Sequence, residues 1–298
     1  MSKKDYEWKL SIKGGPGSGN WGHAGRPGQV GGSSPGGGLH AVGQFPSEAG
    51  EDSNFLIGTE LSYEAGQQGR DGWYNTGYAR RGEIKDKIAS NLSTETPGVS
   101  YEDANKFVRQ WAASSNDSDM RSLAIQQDAA KEFGVPLSDF TKGHIKVIEE
   151  DRHHAEQNPL YNVNDARLNP LMESSKQRAI LRSMYKQTQD NLRSVGIGPD
   201  DVVTLYRGVK FDSSVVRDWG PGKKVGFHDN AVSSWSVGSS VALGFAERTG
   251  YGQTGVSLKV DIPARNILSM AHTGFGCMEE GEVTVLGARG VAEVDWID

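Results

Sequence analysis

The chain has 298 residues, enough for one large domain or two smaller ones, and its 36% hydrophobic content is unevenly spread. A formal net charge of −6 leaves no basic footprint for nucleic acid or an anionic membrane. A single cysteine, Cys277, excludes an internal disulfide framework and a cysteine-based zinc site.

The first residues are charged, no apolar stretch follows them, and no run approaches eighteen apolar residues. The expectation is a soluble protein with no Sec-type signal and no membrane span. Residues 14–38 hold twelve glycines in twenty-five positions, broken by Pro16, Pro27 and Pro35. Such a segment buries too little apolar surface to offset its ordering entropy, so 1–50 is read as a disordered tail or linker. A phosphate cradle over Gly14–Gly22 lacks both a following Gly-Lys-Ser/Thr and a preceding strand. The string from Gly14 to Gly28 resembles a segment that recurs in phage-encoded, head-associated proteins. That likeness adds a phage particle, or delivery by another route, to a cytoplasmic location.

Residues 39–78 stay polar and glycine-rich, with Trp73, Tyr74 and Tyr78 as the first candidate core contacts. From about Ala79 the pattern is helical, with Ile84, Ile88 and Leu92 at every fourth position. Ser100 with Asp103 predicts a capping box before Ala104, Phe107, Val108 and Trp111. Ser118 opens the next segment and Gly134 stops it. A helix is predicted over 138–157, and the longest over Glu173–Val195, whose stripe of Ile180, Leu181, Met184, Tyr185, Thr188 and Leu192 ends at Gly196. These stripes read as helix packing. His153 and His154, adjacent on a helix, point about 100° apart and read as a solvated face, not a metal pair.

After Pro199 the period becomes alternating. Strands are predicted over Val202–Val209, Lys223–Phe227, Ala231–Ser236, Gly255–Ile262, Glu282–Leu286 and Val291–Ile297, with one short helix near Ser239–Arg248. Helices followed by strands indicate an α+β fold, a helical lobe (51–198) set on a mostly antiparallel sheet (199–298).

Three pieces of the strand region carry chemistry. Leu205-Tyr206-Arg207-Gly208 puts an arginine in a strand, where its planar fork suits a phosphate or carboxylate and where a structural ion pair is the alternative; the glycine after it lets a ligand approach the backbone. Ser233-Ser234-Trp235-Ser236 presents Ser234 and Ser236 on one face, and the next helix returns Ala242, Phe245, Ala246 and Arg248. Glu280 and Glu282 stand two residues apart where a loop enters the next strand, and strand alternation presents the two carboxylates side by side on one face. Two such carboxylates repel unless a cation, a proton or developing positive charge uses them.

This order, Arg, then Ser-x-Ser with Ala-x-x-Phe-Ala, then Glu-x-Glu-Val, resembles the Arg–Ser–Glu signature of the mono-ADP-ribosyltransferase toxins. The likeness covers about residues 199–298, and the helical 79–195 region resembles the lobe that precedes the sheet in that family. It implies a mostly antiparallel β-sandwich of the ADP-ribosyltransferase type as an NAD-binding core, with NAD as substrate and a target protein offering an accessible arginine. It assigns Glu282 as the catalytic carboxylate, Ser234 as its holder, and Glu280 as the group that orients and deprotonates the acceptor. Arg207 and Arg248 would contact the NAD phosphates, Gly208 would hold the nicotinamide carboxamide through its backbone, Phe245 would stack on the nicotinamide, and Ser236 would join the cofactor contacts. Trp235 stands where the family has threonine; facing away from the serines, it should alter packing more than chemistry. Leu286-Gly287 stands where the family often has proline, a neutral change.

The residues fit that chemistry on their own terms. Breaking the nicotinamide–ribose bond builds positive charge on the ribose, as in glycoside hydrolysis, where paired carboxylates act. No metal is required. The glycine-bearing stretch Met270–Met278 is expected to be a mobile loop that meets the target. Three alternatives remain on the same sequence: an NAD glycohydrolase, a silent phage-particle or interaction protein on this scaffold, and a nucleic-acid-modifying transferase, which the acidic balance disfavours.

Overall fold

The computed structural model describes residues 73–113, 119–158, 168–247, 251–276, 281–287 and 289–298. The glycine-rich segment, Ser118, Arg248, Cys277, Glu280 and the side chains of Trp73, Tyr74 and Tyr78 lie outside that set.

The helices come first: α1 (Trp73–Glu95), α2 (Tyr101–Ala113), α3 (Met120–Phe133), α4 (Asp139–Gln157) and α5 (Ser174–Ser194). Their limits follow from local chemistry. Ser100 Oγ accepts the Asp103 N–H at 3.1 Å and Asp103 accepts the Ser100 N–H at 3.4 Å, the reciprocal box that starts α2. Asp119 caps α3 by accepting the Arg121 N–H, and Gly134 ends it in left-handed geometry at φ 67°. Ser138 caps α4 through the Thr141 N–H at 3.0 Å. On α5 the buried residues include Ile180, Leu181, Met184, Thr188 and Leu192, the predicted stripe without Tyr185, which is partly exposed. His153 and His154 are exposed on α4.

The strands follow: β1 (Val202–Asp212), β2 (Lys224–His228), β3 (Val232–Ser236), then α6 (Ser239–Ala246), β4 (Gln253–Pro263), a single 3-10 turn, β5 (Ile267–Met270), β6 (Glu282–Leu286) and β7 (Arg289–Ile297). They form one seven-stranded sheet in the order β2-β7-β4-β1-β3-β6-β5, and every pairing is antiparallel. The protein is therefore α+β, and where a β-sandwich was expected its described strands join in one continuous sheet. β1 pairs with β4 along its whole length, but its register with β3 runs through one pair, Tyr206 opposite Ser236. The sheet turns at this narrow junction. Phe227 of β2 then meets Trp235 of β3 edge-on at 5.5 Å, although the two strands lie far apart in the sheet order.

The curled sheet encloses one core, built on Leu205, Trp235, Leu258, Val285 and Val294. A second core joins the helices to the outer face of the sheet. There Leu92, Phe107, Ile125, Leu181 and Met184 pack with Val232, Leu268, Phe275 and Leu286. Burying such side chains contributes roughly 1.5–3 kcal/mol each. This second core fixes the helical lobe against the ends of β3 and β6. No described helix is long and apolar enough to cross a membrane.

Candidate active site

The candidate site lies on the outer face of the sheet where α2 crosses β3 and β6. Ser236 is opposite Glu282 and Ser234 is opposite Thr284. Cross-strand partners share a face and alternate residues return to it, so Ser234, Ser236, Glu282 and Thr284 lie together. Tyr206 extends the row onto β1.

Glu282 is 7% exposed and is held from two directions. Ser234 Oγ donates to its Oε1 at 2.5 Å. The indole N–H of Trp111, from α2, donates to the same oxygen at 3.0 Å and reaches Ser234 Oγ at 3.1 Å. A carboxylate oxygen is a strong acceptor, and two donors converging on it fix its position. Trp111 is itself held by ring stacking on Phe275 (centroids 5.1 Å apart, planes at 18°), which also meets Phe107 at 5.1 Å. Next along the face, the Thr284 and Ser269 hydroxyls lie 2.7 Å apart. Ser236 Oγ accepts the Gly238 N–H at 3.1 Å, fixing the turn into α6.

Arg207 is not brought to this cluster. Strand alternation puts it on the face opposite Tyr206 and Gly208, inside the curl of the sheet. There Nη1 donates to Asp229, and the guanidinium lies over the Trp235 ring at 5.7 Å. The pair is well shielded, with Arg207 11% and Asp229 4% exposed. Trp235 faces away from Ser234 and Ser236, as predicted; its indole N–H donates to Ser233 Oγ at 2.8 Å.

Gly208 has a packing role that the sequence did not announce. A β-carbon there would lie 1.9 Å from the Ala242 carbonyl oxygen, and one at Gly255 would lie 2.2 Å from that of Ala246. The two glycines let α6 rest directly on β1 and β4. Phe245 of α6 is half-buried beside Val237 and Val241.

β6 begins at Glu282, as predicted, and Gly281 before it has left-handed backbone at φ 52°; Glu280, the other half of the Glu-x-Glu pair, lies outside the described residues. The expectation of a mobile Met270–Met278 loop is corrected over its described part. Met270 belongs to β5, and Ala271, Thr273, Gly274, Phe275 and Gly276 are buried. Lys85 of α1 donates to the carbonyls of Ala271 (2.9 Å) and Gly274 (2.7 Å), and the Thr273 and Thr188 hydroxyls lie 2.7 Å apart. The glycines serve this close packing: a β-carbon on Gly274 would meet Met184, and one on Gly276 would meet the Glu282 carbonyl at 3.0 Å.

Sequence reading missed Trp111 and Asp229. Trp111 fell on the apolar stripe of α2 and counted only as core. Asp229 sits in a loop with no motif around it. Among the described residues, no three His, Cys, Asp or Glu side chains converge on a metal position. Comparison with protein-family models, curated proteins and solved structures gives no significant match, so the site's chemistry has to be read from its own residues.

Proposed function

We propose that the protein is a mono-ADP-ribosyltransferase that moves ADP-ribose from NAD to an arginine side chain of a target protein and releases nicotinamide. The observation that carries the proposal is the Ser234–Glu282 hydrogen bond on the face where Ser236 stands opposite Glu282. This matches the residue pairing expected from the Arg–Ser–Glu resemblance, on an α+β scaffold. In this reading the sheet is an NAD-binding core of the ADP-ribosyltransferase type.

In this reading the bond between ribose C1′ and the nicotinamide nitrogen breaks, and nicotinamide leaves with the bonding electrons. Glu282, fixed by its donors, stabilises the positive charge that develops on the ribose. A pre-positioned carboxylate does this without reorganising during the reaction, which is why its holder Ser234 matters. The acceptor guanidinium nitrogen then attacks C1′ and loses a proton to Glu280. Phe245 stacks on the nicotinamide and Gly208 meets its carboxamide. The resemblance gives Arg207 and Arg248 to the diphosphate; for Arg207, on the face opposite Glu282, that role requires leaving Asp229 for phosphate oxygens, which accept a guanidinium's planar fork as carboxylate oxygens do.

The test is nicotinamide release by purified protein and two variants. Glu282→Gln should abolish release, by at least about a hundredfold, while NAD still binds. Glu280→Gln should lose transfer to a guanidinium acceptor and retain slow hydrolysis. Full activity in Glu282→Gln would overturn the assignment.

A further inference from the structure

We infer that Trp111 is a positioning residue for Glu282: the helical lobe supplies, through one indole N–H, part of the hold on the carboxylate that the sheet presents. The inference rests on the transferase reading for its kinetic consequence, but its structural content stands on the geometry alone.

Trp111 Nε1 lies 3.0 Å from Glu282 Oε1 and 3.1 Å from Ser234 Oγ, and the residue is 4% exposed. An indole nitrogen can donate and cannot accept. Its single proton therefore points at the two groups that the resemblance places at the reacting centre. A tryptophan kept only for core volume needs no such aim. A buried indole N–H without a partner would cost about 1–3 kcal/mol, and any buried acceptor would relieve that cost. Here the acceptor is the carboxylate that Ser234 also binds.

The ring's attitude is set from the opposite side. Phe275, fully buried, stacks on Trp111, and the segment carrying it is tied to α1 by Lys85 and to α5 by Thr188. The chain of contacts runs from three helices, through Phe275 and Trp111, to Oε1 of Glu282. This gives the helical lobe a role in the site beyond covering the sheet. Trp111 itself touches no substrate in this account; it acts through Glu282.

The experiment pairs a spectroscopic readout with kinetics on the full chain. The seven tryptophans give up to seven indole N–H resonances in a nitrogen-correlated spectrum, and Trp111→Phe identifies the one belonging to Trp111. That resonance should lie downfield of an ordinary indole and move on Glu282→Gln, while the resonance of Trp296, at the far end of β7, stays in place. Trp111→Phe keeps the ring that stacks on Phe275, so it should fold. It should lower kcat for nicotinamide release about 10- to 100-fold with KM for NAD within about twofold, as loss of a positioning contact does. A spectrum in which no indole resonance moves on Glu282→Gln would overturn the inference even if Trp111→Phe failed to fold. So would unchanged kcat in a folded Trp111→Phe when Glu282→Gln is inactive. If the wild-type chain releases no nicotinamide, the transferase reading fails, and the indole resonance alone decides whether Trp111 holds Glu282.

Discussion

Gln126 of α3 and Val232 of β3 exchange two hydrogen bonds: the Gln126 amide donates to the Val232 carbonyl at 2.8 Å, and the Val232 N–H donates to Gln126 Oε1 at 2.7 Å. Both residues are fully buried. β1 meets β3 only at Ser236, so the start of β3 lacks a strand on that side, and the glutamine side chain takes its place. The strand that carries Ser234 is thereby fastened to the helical lobe.

Gln126→Met should remove both bonds while nearly conserving volume. It leaves a buried N–H and a buried carbonyl without partners, which costs about 2–4 kcal/mol. Urea unfolding should register that loss. A change under about 0.5 kcal/mol would mean that water or another strand satisfies Val232.

Gly208→Ala should lift α6 off β1, because its new β-carbon would sit 1.9 Å from the Ala242 carbonyl oxygen. The expected cost is about 3 kcal/mol or more, since neither backbone can yield cheaply. Gly244→Ala is the matched control. It lies on the same helix with nothing within 4 Å of a new β-carbon, so it should be neutral or stabilise by up to about 1 kcal/mol. Thermal melts of the two variants read the contrast.

The predicted and observed structures agree where the signal is local. The Ser100–Asp103 box, the Gly134 stop, the α5 stripe and the limits of β6 were all legible, because each rests on residues within a few positions of one another. Trp111 was legible as core but not as a donor; its partner lies 171 residues away. β5 was missed because its four residues are buried on both faces and show no alternation. Glycines misled twice for one reason. At Gly208 and through Gly274–Gly276 they accommodate neighbouring protein groups, and composition alone does not separate that use from ligand approach or mobility. An arginine in a strand suits a structural ion pair as well as a phosphate, and in this structure Asp229 supplies the pair.

His272 should make stability fall in mild acid. Its ring is largely buried, Nδ1 has no hydrogen-bond partner, and Nε2 lies 3.3 Å from Asn191 Oδ1. Burial, helped by the charge of Lys85, lowers its pKa from 6.5 to about 4. Between those values the unfolded chain binds a proton that the folded chain refuses. Stability from this group is thus intact above pH 6.5, declines as pH falls toward 4, and levels off below. Between pH 7 and 4.5 the loss should be about 2–3 kcal/mol, and His272→Gln should show a pH dependence smaller by that amount. Equal slopes in the two proteins would refute it.

The central claim is that Glu282 works on NAD, and the most direct measurement is nicotinamide release by the purified chain, with and without agmatine as a free guanidinium acceptor. The account predicts release that rises with agmatine and yields ADP-ribosyl-agmatine. Release indifferent to agmatine would point to water or another acceptor. No release from bound NAD would contradict the account.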